Sequence, residues 1–549
     1  MLERLIESWL DSASERSYQA PFCQMLSAEG HTVLHSTRHA PLEFGKDIIS
    51  IGPDGVPCAF QLKGNPGTRF SLAQLRDIKG QLLELVTQPI VLPGVPSGRH
   101  RCYLVTNGET EEEVHRSVDD INRELENLGF GPQRIELWSR GRLLEMANRL
   151  GASLWPSEIE DLNTLLELLV HRGDDLLPLA KIDKLLKRLL VLEEDNKASL
   201  GAAQGRRRIT SAAVLIGVAL RNFSLKENHY ATSAAWTVFA AYAIACGERH
   251  HLKYEDTARA AVEIAKNTIF DALAALCDDV KTNEKLMASG FEIAPIYIAR
   301  ATLTYALLSL YWLWSEANAW PVKEHKALLD EWLPKDHRQS YLWGEGAVPQ
   351  FLAQYWYFSK ADPTWKSEML LGSLLNVLIK LAVDQEGQKF PSPYFSFEDF
   401  MKHLLAGFLQ TGDDPLRGET ARRMSFMAEG VLHLFVRANL KQSAKLLWPD
   451  FTQLGLKRFE VEEPWQYCLY RTAAGRELMV QPPATKQWAE LVAEARYCRL
   501  AQVPHALASE VWLLALFVVL LPYRATPEAL RYLGWKLGTV WCIPPAIET

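Results

Sequence analysis

Cysteine is scarce in this chain. Eight are spread over 549 residues, at Cys23, Cys58, Cys102, Cys246, Cys277, Cys468, Cys498 and Cys542, and none form C-x-x-C. A zinc ribbon or a thioredoxin-type redox motif is therefore not expected, and such sparse usage fits a reducing cytoplasm. An excess of basic charge is also lacking. The net charge of −7 argues against a protein coated in cationic surface, though a local basic cleft depends on distribution rather than on the total. Long apolar runs are missing too. The most apolar, Val511 to Leu521, is about half the ~20 residues needed to span a bilayer. The stretch from Pro295 to Trp314 is interrupted by Arg300. The opening M-L-E-R-L-I-E-S-W-L-D has acids in its first turns, which does not suit a secretory signal. No membrane association is expected. No G-x-x-x-x-G-K-[ST] phosphate loop and no G-x-S-x-G elbow occurs, so neither an ATPase nor an α/β-hydrolase nucleophile is expected.

What remains is ordinary globular composition, 48% apolar and 23% charged. The length calls for two or three domains. The first ~150 residues alternate between helix and strand patterns. Glu15 to Ala28 reads as a helix with Pro21 at its start or at a kink, and Gly30 ends it. Strands are expected over 31–36, 46–51, 57–62, 101–106 and 134–138. Helices are expected over 71–86, 109–127 and 140–150. The order α-β-β-β-α-β-α-β-α describes a mixed sheet with helices on its faces.

From residue 155 to 549 the strand signal fades into leucine-rich helical spacing, which predicts a large all-α region, in the manner of a helical array but with no crisp repeat. Trp and Tyr crowd residues 311–365 and read as core. Arg206, Arg207 and Arg208 read as a solvated interhelical loop rather than as phosphate contacts. His31, His35 and His39 recur every four residues, but on strand and loop that spacing makes no metal site.

Within E-F-G-K-D-I-I-S-I-G-P-D-G-V-P-C-A-F-Q-L-K-G (43–64), an acid lies in the first arm of a hairpin and a Gln-x-Lys pair in the second. Gln61 and Lys63 share a strand face. A two-residue turn at Asp54-Gly55 would send Asp47 to the opposite face. A three-residue Pro-Asp-Gly loop, with its glycine in the left-handed region, places Asp47 opposite Gln61 and gathers the polar groups. We expect the second register. Asp47 and the Leu62 carbonyl would then suit Mg²⁺, which takes oxygen ligands and keeps several waters. Lys63 would position or help deprotonate a water, or stabilise charge on a phosphate.

G-K-D (45–47) followed by Q-L-K (61–63) resembles the PD-(D/E)XK nuclease superfamily, in the Gln-x-Lys variant of Mrr-like restriction endonucleases. Y-L-V-T-N-G (103–108) resembles that family's strand ending in a Thr and Gly turn. I-E-L-W-S-R-G-R-L-L-E-M (135–146) resembles its final strand and helix. The likeness covers about residues 10–150 and implies a restriction-endonuclease-like nuclease domain over 1–150, with 155–549 left for sensing or assembly. It further implies Mg²⁺ or Mn²⁺ as cofactor, DNA as substrate, and service in bacterial defence against phage or foreign DNA. A partner protein of the same system and a homo-oligomer that makes paired cuts are also expected. The family's first helix supplies a further acid. Glu15 is the candidate, with Gln19, one turn later on the same face, as the alternative. Asp47, Gln61, Lys63 and Glu15 form the expected catalytic set, and Asp47, Glu15 and the Leu62 carbonyl the metal ligands. Lys46, Arg69 and Lys79 lie near the cleft as candidate DNA-backbone contacts, and His39 and Glu43 could line it. The alternatives are a non-catalytic nucleic-acid-binding scaffold and an RNA nuclease in the helical part, where Arg499 and His505 are spaced as in HEPN ribonucleases.

Overall fold

The computed structural model describes residues 2–36, 45–150, 159–192, 199–282, 295–318, 345–361, 368–383, 424–470 and 475–538, apart from isolated positions at 93, 97, 132, 481, 483, 484 and 497–499. His39, Glu43 and Arg499 lie outside the described residues. The chain forms two compact units, Met1–Ala272 and Leu273–Thr549.

The first unit begins with α1 (Leu2–Leu10) and α2 (Glu15–Ala28). Ser14 caps α2 by accepting from the Ser17 amide at 3.4 Å, and Gly30, at φ +93°, turns the chain out of it. Pro21 lies inside α2 rather than at its start. Strands β1 (Thr32–His35), β2 (Ile48–Ile51) and β3 (Pro57–Lys63) follow, then a short β4 (Arg69–Phe70). Helices α3 (Leu72–Asp77) and α4 (Lys79–Thr87) replace the single helix expected there. Next come β5 (Arg101–Thr106), β6 (Glu109–Thr110), α5 (Glu112–Asn127), β7 (Ile135–Trp138) and α6 (Arg140–Leu150).

The main sheet has the order β1-β2-β3-β5-β7. β1, β2 and β3 pair antiparallel, whereas β3, β5 and β7 run parallel. One face carries Ile49, Ala59, Leu104 and Ile135 against Leu75 and Leu82 of α3 and α4 and against Val118, Ile121 and Leu125 of α5. The other face is aromatic. Phe60 stacks on Tyr103 at 4.7 Å and meets Phe22 of α2 edge-on at 5.8 Å, and Trp138 closes the group. Burying each such side chain contributes about 1.5–3 kcal/mol.

The compact unit that contains the sheet runs on past residue 150 to Ala272. Helices α7 (Ile159–Leu169), α8 (Leu179–Leu189), α9 (Ala202–Ala219), α10 (Arg221–Leu225), α11 (His229–Arg249), α12 (Tyr254–Thr257) and the first part of α13 (Arg259–Thr282) belong to the same unit as the sheet. α9 meets α2 so closely that a Cβ on Gly217 would lie 2.4 Å from Pro21 Cγ. Gln24 of α2 donates to the Ala261 carbonyl at 3.0 Å. Arg206–Arg208 lie in α9, not in a loop. Arg207 donates to the carbonyls of Arg149 and Leu150, Arg208 to that of Leu189, and Arg206 to that of Asp256. Arg207 and Arg208 thus meet the last carbonyls of α6 and α8, where the helix dipole favours positive charge.

The second unit is helix-rich, and its described aromatics Tyr311, Trp312, Trp356 and Tyr357 are buried. It is not all-α. A three-stranded sheet pairs β8 (Met424–Ser425), β9 (Gly455–Glu460) and β10 (Arg476–Val480) in the order β10-β9-β8. Among the described residues no helix is long and apolar enough to cross a membrane.

Candidate active site

The hairpin between β2 and β3 sets the geometry. Its loop is Pro53-Asp54-Gly55, closed by the Gly52 amide donating to the Val56 carbonyl at 2.8 Å, with Gly55 at φ +79°. Ile48 pairs with Phe60 and Ile51 with Pro57, so Asp47, one step beyond, lies opposite Gln61. This is the expected three-residue register. Asp47 Oδ2 accepts from Gln61 Nε2 and from the Leu62 amide, both at 2.6 Å. The same Gln61 nitrogen reaches the Leu62 carbonyl at 3.5 Å. A carboxylate and a main-chain carbonyl thus converge on one donor. Gln61 is buried, and its Oε1 has no hydrogen-bond partner. Rotating the amide by half a turn exchanges Nε2 for Oε1, which would leave three oxygens directed at one point.

Glu15 opens α2, and its Oε2 accepts from the Gly64 amide at 3.2 Å, immediately after Lys63. The approach is close: a Cβ on Gly64 would lie 2.6 Å from the Glu15 nitrogen. Gln19 is engaged elsewhere and donates to the Ser36 carbonyl at 2.7 Å. The carboxylate at the end of β3 is therefore that of Glu15. Lys63 shares its strand face with Gln61 and is half-buried.

Two positioning features went unread in the sequence. Tyr18 is buried one turn after Glu15, and its hydroxyl donates to the carbonyls of Lys63 (3.3 Å) and Val105 (3.4 Å), tying α2 to the ends of β3 and β5. Burial raises its pKa well above the ordinary tyrosine value, and the carboxylates of Glu15 and then Asp47 raise it further. Both acids therefore act on one buried hydroxyl. Asn107 donates to the carbonyls of Leu10 and Ala13 and accepts from the Asn65 amide at 2.7 Å. That links the loop before Glu15 to the strand ends. The Tyr18 spacing was available as i, i+3 from Glu15. The Asn107 contacts, some 94 residues apart in sequence, were not.

Lys46 requires correction. It is not a surface phosphate contact but is buried, and its ammonium donates to the Glu84 carbonyl of α4 at 3.3 Å. Burial lowers its pKa to about 8, with the Cys102 thiol and then Glu84 acting in the opposite direction. The cause is Gly45, at φ +74° against Gln81 of α4, which breaks the strand alternation just before β2. Lys79 forms a half-exposed ion pair with Glu124 of α5 at 3.1 Å. Arg69 stands exposed on β4. His31 of the evenly spaced histidines bonds Ser50 Oγ at 2.9 Å.

Among the described residues no three His, Cys, Asp or Glu side chains gather as a metal-ligand group. At the end of β2 and β3 the Asp47 carboxylate and the Leu62 carbonyl meet the Gln61 amide nitrogen, and the Glu15 carboxylate lies on the Gly64 amide just beyond Lys63. Compared with known proteins, the chain matches no family model, and no curated protein or solved structure is similar enough to it to count as a match.

Proposed function

We propose that this protein is a divalent-metal-dependent endonuclease acting on DNA, with its active site at the end of β2 and β3. The observation that carries the reading is the convergence of Asp47 and the Leu62 carbonyl on Gln61, whose own oxygen is buried without a partner. Half a turn of the Gln61 amide would bring that oxygen beside Asp47 Oδ2 and the Leu62 carbonyl, where the three could share one ion. Asp47, Glu15, the Leu62 carbonyl and Gln61 Oε1 are hard oxygen donors of the kind that Mg²⁺ or Mn²⁺ takes. Bound there, such an ion would polarise a phosphoryl oxygen and lower the pKa of a coordinated water.

The chain's own groups have separate tasks. Asp47 and Glu15 supply negative charge from two different elements. Lys63, on the Gln61 face of β3, holds the attacking water or balances charge that accumulates on the scissile phosphate. Tyr18 and Asn107 fix α2 against the strand ends and so fix Glu15. Arg69 is the exposed cation for the DNA backbone. The second unit is left for sensing, self-assembly or a partner protein of the same defence system.

The test uses purified full-length protein and plasmid DNA, with Mg²⁺, Mn²⁺ or EDTA, alongside Asp47→Ala and Lys63→Ala. Cutting that requires metal and is lost in both variants supports the assignment. Cutting that survives both substitutions overturns the site. DNA binding without cutting, unchanged by Asp47→Ala, would make the sheet a recognition module instead.

A further inference from the structure

The second unit contains a cavity of about 420 Å³, within the range of small-molecule sites. It lies among the helix Ala428–Arg437, strands β9 and β10, and the helices Trp488–Arg496 and Pro527–Leu537. Leu432, Leu456 and Val480 give it an apolar side. Arg458, Lys486 and Arg531 line the rest together with Glu429, Glu494 and Glu528, and the partners of the three cations differ. Arg458 is gripped by Glu429 through two contacts, one of them Nε to Oε2 at 2.6 Å. Lys486, on the more exposed side, is ion-paired with Glu494.

Arg531 is different. It is 6% exposed, lines the cavity, and has few of its five N–H groups satisfied. Nη1 donates to His433 Nδ1 at 2.9 Å and reaches the Glu494 carbonyl at 3.5 Å. Nη2 is 3.8 Å from Glu528 Oε1, beyond hydrogen-bond range, and Nε is buried with no partner. A guanidinium does not shed its proton, so its unfilled donors carry a full desolvation cost. Nε with Nη2 is the parallel fork that takes both oxygens of a carboxylate or a phosphate; Nε is closed off from the cavity and Nη2 stands toward Glu528, so the fork opens to a ligand only as that carboxylate withdraws. His433, accepting through Nδ1, is neutral. Its burial and the cations Arg531, Arg458 and Lys486 hold its pKa well below the ordinary value. Its remaining ring N–H is one more donor. Glu528 stands on that same edge, 3.8 Å from Nη2, so an entering oxyanion must displace its carboxylate, and a second anionic group would be repelled.

We propose that this cavity binds a small molecule with a single oxyanion, a phosphate monoester or a carboxylate, seated on the Nε–Nη2 edge of Arg531, and an apolar or flat body against Leu432, Leu456 and Val480. The site is independent of the nuclease reading.

The experiment is titration calorimetry and thermal unfolding of the full-length protein with phenyl phosphate, adenosine monophosphate and benzoate. Phenol and adenosine, which lack the oxyanion, and sodium chloride at matched ionic strength are the controls. We expect saturable binding by at least one oxyanion probe, and the phosphate and carboxylate arms show which group is preferred. At about 100 times Kd the unfolding equilibrium should shift by roughly 100-fold. Arg531→Lys keeps the charge but loses the fork and should weaken binding by about 10-fold or more. Val480→Trp fills the apolar side from a partly exposed strand position and should abolish binding; it decides the matter if the arginine variant does not fold. No saturable binding at millimolar probe, equal binding of the oxyanion-free controls, or binding unchanged in the folded variants would each overturn the assignment.

Discussion

Gln61→Glu asks directly whether Asp47, Gln61 and the Leu62 carbonyl form an ion site. The change is nearly isosteric, but it turns a donor 2.6 Å from Asp47 Oδ2 into a second oxyanion. Two carboxylates roughly 4 Å apart repel by about 4 kcal/mol at an effective dielectric of about 20. The pair can escape by sharing a proton. At pH 7, protonating a carboxyl of ordinary pKa near 4.3 costs about 1.36 × 2.7, or roughly 3.7 kcal/mol. Either route costs the variant about 4 kcal/mol in chelator, against a typical total stability of about 5–15 kcal/mol.

The sign with pH follows. In the metal-free folded variant the shared pair binds a proton more tightly than the unfolded chain does. Stability is therefore retained below about pH 4.3 and lost as pH rises. The deficit should be about 1 kcal/mol at pH 5 and about 4 at pH 7. Divalent ion should cancel it, because a cation is the partner two carboxylates need. The assay is thermal unfolding with EDTA and with Mg²⁺ at both pH values, following the transition that Asp47→Ala also moves, since two compact units need not melt together. A deficit independent of pH, or a Mg²⁺ response no larger than in the parent protein, would refute the reasoning.

Other predictions follow from neighbouring groups. Lys46 has its pKa lowered from 10.5 to about 8, so the unfolded chain binds the proton more tightly. Its charge destabilises the fold below pH 8 by about 3 kcal/mol, and that handicap disappears as pH rises toward 10.5. Lys46→Met should gain stability relative to the parent at pH 7, with the gap shrinking between pH 8 and 10.5 in urea unfolding; a gap independent of pH would contradict the burial cost. Tyr18→Phe removes the one hydroxyl proton shared between the Lys63 and Val105 carbonyls. It should cost about 1 kcal/mol in stability and leave the plasmid-cutting rate in saturating Mg²⁺ within about 3-fold; complete loss of cutting would give the hydroxyl a chemical role.

Much of the first unit was legible in the sequence because its signals are local. Pro53-Asp54-Gly55 admits few loop geometries, and that loop fixed the pairing of Asp47 with Gln61. The bounds of α2, β5 and α6 agree with the periodicity reading residue for residue. Lys46 was misplaced because nearness to Asp47 in sequence stood in for exposure, whereas Gly45, at φ +74° against Gln81, turns the chain so that Lys46 is buried against α4. β9 and β10 were missed because G-L-K-R-F-E and R-E-L-M-V are short and carry charge on both faces. They lie among helices and are held by each other rather than by an apolar pattern. The arginines of α9 looked like a solvated loop because their partners are carbonyls at the ends of other helices. The extent of the first unit was hidden for the same reason. α9 and α13 read as helices of a separate region, and only their packing joins them to α2.

That packing gives the helical layer a hold on the candidate site. α2 carries Glu15 and Tyr18 at its start and Pro21 against α9. Glu15 is six residues before Pro21, about 9 Å along a rigid helix. A Cβ on Gly217 would lie 2.4 Å from Pro21 Cγ, and the proline ring has no rotamer into which it can withdraw. Gly217→Ala must therefore move α2 or α9, at a cost of about 1–3 kcal/mol. At the far end Glu15 has no slack either, because its backbone abuts Gly64. The displacement should reach the carboxylate, and the Mg²⁺ concentration for half-maximal plasmid cutting should rise by about 3-fold or more, measured well below the melting temperature. Gly205→Ala is the control. It lies in the same helix, but its added methyl meets the flexible end of Leu252 at 2.7 Å, so it should leave the Mg²⁺ requirement unchanged. If Gly217→Ala lowers stability and leaves the Mg²⁺ midpoint where it was, the helices after residue 155 support the sheet without positioning Glu15.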